Sequence, residues 1–166
     1  VIPHGEFFFS ENTPALIRCL RSALYKRGIP QTLYVDNGSI YTSKEINQIC
    51  ERTGILLCHT PVRDGAAKGK IERFFRTVRD RFLTQKLDLS SLDSLNRQFR
   101  DWVENDYNAH VHSTLKMKPV DRFAMDSKQI RYLDPMDAND ELFYFEQVNR
   151  VLMQPHWRKE HDVSAQ

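Results

Sequence analysis

The run Leu33-Tyr34-Val35-Asp36-Asn37-Gly38-Ser39, closed downstream by Gly69-Lys70-Ile71-Glu72-Arg73-Phe74-Phe75, decides how this chain folds. A short apolar run that ends in an acid and then Asn-Gly predicts a buried strand entering a tight turn. The second run predicts a helix that starts near Lys70, with Ile71, Phe74, Phe75, Val78 and Phe82 as its apolar stripe. On that reading Glu72 sits in the first turn, away from the core. Thirty-five residues separate Asp36 from Glu72. Two carboxylates, one at a strand's C-terminal end and one on a helix, can face the same spot and share a divalent ion.

Upstream, residues 5–9 (Gly-Glu-Phe-Phe-Phe) read as an aromatic strand. Thr13 before Pro14 reads as a helix N-cap with an N1 proline. Leu16, Ile17, Leu20, Ala23 and Leu24 make one apolar stripe, and Gly28 with Pro30 ends the helix. Strand, helix and strand within about 30 residues form a βαβ-like unit and predict an α/β fold. Downstream, Thr42 with Glu45 reads as a capping box for a helix that ends at Gly54. Residues 55–58 (Ile-Leu-Leu-Cys) form the next strand. Residues 59–69, with Pro61, Gly65 and Gly69, read as a mobile loop. Ser90 or Ser91 caps a helix whose apolar face includes Leu92, Leu95, Phe99, Trp102, Val103 and Tyr107. A short helix follows from Pro119 to about residue 123. The pattern weakens after 127, and residues 155–166 read as a poorly ordered tail.

At 166 residues, with 40% apolar residues, the chain suits one domain with an appendage. No stretch approaches a membrane span, and residues 1–4 do not read as a signal peptide. Cys19, Cys50 and Cys58 lack C-x-x-C spacing, which favours free thiols in a reducing compartment. Net charge is +2 but uneven: residues 63–86 carry eight Lys or Arg against three acids. Arg63, Lys68, Lys70, Arg73, Arg76 and Arg79 are candidates to meet nucleic acid phosphate, although a basic helix face is also an ordinary solvated one. Arg76 has a second option, an i,i+4 pair with Glu72. His59 and His112 suit hydrogen-bonded structural roles, and His110-x-His112 is poor zinc spacing.

Asp36 and Glu72 offer hard oxygen ligands of the kind Mg²⁺ or Mn²⁺ takes. Two such ions activate a water or hydroxyl and stabilise a leaving oxygen in phosphodiester displacement. The bland alternative for Asp36 is an Asx residue in its own turn.

The surrounding residues extend the reading. Val35-Asp36-Asn37-Gly38-Ser39 with Tyr41-Thr42-Ser43, then Gly54-Ile55, then Gly69-x-x-Glu72, resembles the catalytic core of retroviral integrases and bacterial insertion-sequence transposases. These are the D,D-35-E recombinases, with a ribonuclease H-like fold. The bacterial branch is the more similar around residues 69–79, at Trp102-x-x-x-x-Tyr107-Asn108, at His112-Ser113 and at Pro119. The resemblance covers about residues 7–123. It implies a ribonuclease H-like core at 1–125 and, at 126–166, a C-terminal extension that runs into a small β domain or a disordered tail.

It also implies catalytic, metal-binding roles for Asp36 and Glu72, Mg²⁺ or Mn²⁺ as cofactor, and DNA (transposon ends and target) as partner. Homo-oligomeric assembly in the parent protein and a bacterial, cytoplasmic, nucleoid-associated location come with it. The family uses three acids, the first on its first strand. No Asp precedes Asp36, and neither Glu6 nor Glu11 matches that position. The core therefore reads as N-terminally truncated, its first two strands missing between residues 5–9 and residues 33–35. Three outcomes are then expected: those strands pair directly, another chain fills the gap, or the fragment is marginally stable. A chain with two of the three acids is expected to lack activity alone. The rival readings are a non-catalytic DNA-binding or assembly remnant of a transposase, and a ribonuclease H-like nuclease.

Overall fold

The computed structural model describes residues 1–59, 65–134 and 142–145. The described chain is mainly helical around a small parallel sheet of two strands. No described helix is long and apolar enough to cross a membrane. Helix α1 (Thr13–Arg27) is capped by Asn12, one residue earlier than the sequence suggests; its side chain accepts from the Ala15 amide at 2.9 Å. Gly28 ends α1 at φ +83°, where a Cβ would lie 2.4 Å from Ile130, so both backbone and space require glycine.

Strand β1 (Thr32–Val35) pairs in parallel with β2 (Leu56–His59), and Val35 stands opposite His59. A parallel pair needs a crossover, which α2 (Lys44–Thr53) supplies. Ser43, not Thr42, caps α2 by accepting from the Ile46 amide at 3.4 Å. Thr42 instead turns its hydroxyl back to the Ser39 carbonyl at 3.1 Å. Gly54 closes α2 in the left-handed region.

Helix α3 (Gly65–Thr77) starts a full turn before Lys70, because the small residues from Gly65 onward join the helix. It continues through one π-helical turn, Val78–Phe82. Helix α4 (Leu92–Trp102), capped by Ser91, ends in a second π-helical turn, Val103–Tyr107. Such turns insert one residue and rotate the side chains that follow. An Arg81–Asp106 ion pair joins the two turns. Helix α5 (Pro119–Met125) and a 3₁₀ turn (Ser127–Gln129) follow.

Two apolar cores result. The first packs Leu24 of α1 and Ile46 and Ile49 of α2 with Ile55, and Phe143 from the C-terminal part lies against them. The second is aromatic: Phe82 lies 5.0 Å from Phe99 and 5.5 Å from Trp102, ring centre to ring centre. Phe74 meets Tyr107 edge-on at 5.1 Å. Salt links span the cores. Glu104 pairs with Lys26 and Arg27 at 2.5 and 2.6 Å, and Arg27 also lies over the Phe123 ring.

Residues 5–9 form no strand, contrary to the sequence reading. Phe7 presses into the aromatic core, 4.8 Å from Phe99. The buried carboxamide of Asn96 takes both backbone groups of Phe7: it accepts from its N–H at 2.7 Å and donates to its carbonyl at 3.0 Å. Asn108, fully buried, holds Ile2 the same way at 2.8 and 2.9 Å. A residue satisfied by one side chain has no backbone group left for a strand neighbour at that point. The direct pairing expected between residues 5–9 and 33–35 therefore does not occur. Glu6, buried between them, pairs with His4 at 2.9 Å and Arg18 at 3.0 Å. The tail expected at residues 155–166, and most of the extension expected after residue 134, lie outside the described residues.

Asn96→Ala leaves two buried backbone groups unpartnered and is expected to cost about 1–3 kcal/mol. Urea unfolding should show a lower midpoint with an unchanged slope; an unchanged midpoint would contradict the clamp. At the start of α4, Asp88 accepts from Ser94 Oγ at 2.5 Å and from the Ser90 amide at 2.9 Å. The Ser94 bond, then the Ser90 bonds, lower its pKa to about 2. Its folded value lies below the unfolded one. The stabilisation is therefore present above the unfolded value and lost as pH falls through about 2. Carboxyl-carbon NMR titration should find Asp88 near 2, and an ordinary aspartate midpoint would contradict it.

Candidate functional site

Parallel pairing places the C-terminal ends of β1 and β2 at one edge of the sheet. Asp36 is the first residue past β1, and its Oδ1 accepts from the Gly38 amide at 2.9 Å. The Asx turn proposed as the bland reading is thus formed. Gly38 has to be small: a Cβ there would stand 3.0 Å from Asp36 Oδ1 and 3.2 Å from the Tyr41 ring. The Tyr41 amide donates to the Gly38 carbonyl at 2.9 Å and closes the turn. His59, at the end of β2, brings Nδ1 to 3.2 Å from the Asp36 carbonyl. A carbonyl only accepts, so Nδ1 carries the proton.

Helix α3 shares a cleft with this edge through Ile71, Glu72 and Phe75. At 3.6 residues per turn, Ile71, Glu72 and Phe75 share one face, while Phe74 and Val78 turn to the aromatic core. Ile71 and Phe75 are accordingly 47% and 54% exposed, not core residues as the stripe suggested. The earlier start of α3 also puts Glu72 in the body of the helix instead of its first turn.

Asp36 and Glu72 line one open cleft of about 580 Å³. Its floor is apolar, with Leu16 and Leu20 from α1 and Leu33 and Val35 from β1, and Cys19 contributes a thiol and Tyr34 and Tyr41 hydroxyls to the lining. Burial raises the Tyr41 pKa, and the charge of Asp36 raises it further. Burial likewise holds the Cys19 thiol up, assisted by Glu6. Both groups therefore stay neutral at physiological pH. Among the described residues no three His, Cys, Asp or Glu side chains gather as metal ligands.

Lys70, Arg73 and Arg76 lie exposed along α3, and Arg79 follows in its π-helical turn. No ion pair engages any of them among the described residues, and Glu72 and Arg76 do not pair. Lys68 lies on α3 by its backbone, and Arg63 falls outside the described residues. His112 pairs through its backbone with Met117, away from His59 in sequence and in bonding. The sequence reading missed Tyr41 and the paired cleft face of Ile71 and Phe75. The signal for the latter was present, since α3 carries apolar residues on more of its circumference than one core requires.

Residues 17–86, the segment that carries both acids, match the family model described as the TnsB C-terminal domain. The chain is 33% identical over 106 residues to the transposase for transposon Tn552 of Staphylococcus aureus, covering 58% of this chain and 22% of that protein. It is 31% identical over 68 residues to the transposase for an IS21-like insertion sequence element of Bacteroides fragilis, covering 41% and 13%. Against the transposase for insertion sequence element IS21 of Pseudomonas aeruginosa the identity is 24% over 147 residues, covering 81% and 36%. The chain thus spans well under half the length of these relatives. A chain of the simian T-cell lymphotropic virus intasome in complex with PP2A regulatory subunit B56 gamma superposes at a TM-score of 0.49 with 22% identity, covering 63% of this chain and 38% of that one. The sequence matches support a relationship to the transposases of bacterial mobile elements.

Proposed function

We propose that this chain is part of a DNA transposase or integrase, a ribonuclease H-like core in which Asp36 and Glu72 are ligands of Mg²⁺ or Mn²⁺. The observation that carries the reading is their convergence: separated by 35 residues in sequence, they line one cleft. The donor set fits a hard cation, because both are carboxylates at an open, partly polar mouth. Oδ1 of Asp36 is engaged by Gly38, which leaves Oδ2 to face a ligand. On this reading the third acid comes from an earlier strand in the longer proteins that this chain resembles. A bound ion would supply activation of a water or a DNA 3′-hydroxyl and stabilisation of the leaving oxygen.

The chain's own residues hold and orient. Asp36 and Glu72 stay ionised as ligands and take no part as general acids. Lys70, Arg73, Arg76 and Arg79 extend from the cleft along one helix, a suitable track for the phosphates of transposon ends and target DNA. The Tyr41 hydroxyl, held neutral, is a hydrogen-bond donor at the cleft wall. Cleavage and strand transfer by the assembled, oligomeric parent protein complete the proposal. The second reading is a DNA-binding or assembly module without chemistry. The exposed Lys70, Arg73 and Arg76 along α3 suit it equally, since phosphate contacts need no metal.

Two measurements on the chain separate these readings. Calorimetric titration with Mn²⁺ should detect binding that Asp36→Asn and Glu72→Gln each weaken at least about tenfold. A labelled DNA duplex should bind with strong salt dependence, and reversing the charges of Arg73, Arg76 and Arg79 together should weaken it at least about tenfold. Duplex binding with no response of Mn²⁺ affinity to either acid variant would support the module without chemistry. Loss of neither interaction on mutation would refute both.

A further inference from the structure

We propose that His59 is a positioning residue for Asp36, fixing the carboxylate from outside the turn that carries it. The inference rests on the proposed metal-ligand role of Asp36 for its functional meaning, though the contact itself does not. Three local bonds shape the turn after β1: Gly38 to Asp36, Tyr41 to Gly38, and Thr42 to Ser39. Local bonds of this kind define the shape of a turn but let it hinge as a unit on the end of its strand. The Nδ1–H bond from His59 to the Asp36 carbonyl, 23 residues away in sequence, ties the turn to the neighbouring strand.

Register makes the tie possible. Val35 and His59 are the last paired residues of the two strands. The Asp36 carbonyl therefore emerges just beyond the ladder, within reach of the side chain of the strand alongside. The backbone of Asp36 is then held at its carbonyl and its carboxylate at Oδ1, which directs Oδ2. Gly38 adds a steric limit, since its position leaves 3.0 Å between a would-be Cβ and Oδ1. The carboxylate can leave this orientation only by giving up the Gly38 amide. His59 itself is exposed and packs in neither core. Its replacement should leave the fold intact.

The geometry specifies which substitutions restore the bond. An Asn amide nitrogen sits two bonds from Cβ, as Nδ1 does, whereas a Gln amide sits one bond further out, as Nε2 does. His59→Asn should therefore keep the tie, and His59→Ala and His59→Gln should lose it. The test follows the Gly38 amide by ¹H–¹⁵N NMR in the whole chain, with each variant checked for an unchanged thermal midpoint. Without metal, exchange of the Gly38 amide with water should quicken about threefold to tenfold in His59→Ala and His59→Gln. It should match the unsubstituted chain in His59→Asn. With Mn²⁺ as the probe, paramagnetic broadening of Gly38 should need about threefold to tenfold more ion in His59→Ala, and His59→Asn should restore it. Equal exchange in all four proteins, or a His59→Asn variant that behaves like His59→Ala, overturns the positioning role. Absence of broadening in the unsubstituted chain instead contradicts the metal reading, and the exchange result still decides the role of His59.

Discussion

The parallel pairing of β1 with β2 is the constraint on which the rest of the site depends. Antiparallel strands would put their C-terminal ends at opposite edges, and Asp36 and His59 would never meet. Parallel strands require a crossover, and α2 supplies it with a Ser43 cap at one end and a left-handed Gly54 at the other. The crossover buries Ile46 and Ile49 against α1. That burial fixes the register in which Val35 faces His59. The contact of His59 with the Asp36 carbonyl follows from that register.

A second constraint brings Glu72 to the same place. Helix α3 belongs to the aromatic core through Phe74, Val78 and Phe82, not to the core beneath the sheet. Its other apolar face, with Ile71 and Phe75, looks across the cleft toward α1 and β1. The cleft is thus the gap between two cores, and each contributes one carboxylate. Among the described residues, electrostatic links between the cores lie elsewhere: Glu104 pairs with Lys26 and Arg27, and Glu6 with Arg18 of α1 and Arg100 of α4. The Glu104 pairs are part-buried, so the cost of desolvation offsets much of their attraction.

The sequence was most legible where one local rule acted alone. Gly28 and Gly54 end helices because left-handed backbone favours glycine, and both ends were placed correctly. The apolar stripes of α1 and α4 led directly to their buried faces. Legibility failed where tertiary contacts competed. Residues 5–9 have strand composition, but Asn96 and Asn108 take the backbone bonds that a strand neighbour would need. No periodicity marks a carboxamide that will meet a backbone 89 residues away. The start of α3 was hidden because Gly and Ala before Lys70 read equally well as loop. The pairing of Asp36 with Glu72 was suggested by the motifs around them, whereas the hold of His59 on Asp36 depends on strand register that only the fold supplies.

The central proposal is that Asp36 and Glu72, which line one cleft, hold a divalent cation together. Fe²⁺ in place of Mg²⁺, with ascorbate and peroxide, generates hydroxyl radicals that cut the polypeptide beside the bound ion. Mapping the cuts by mass spectrometry should find them in two segments, one around Asp36 and one around Glu72. Excess Mg²⁺ and Asp36→Asn should suppress both together. Cuts at one segment alone, or cuts indifferent to Mg²⁺, would contradict a shared site.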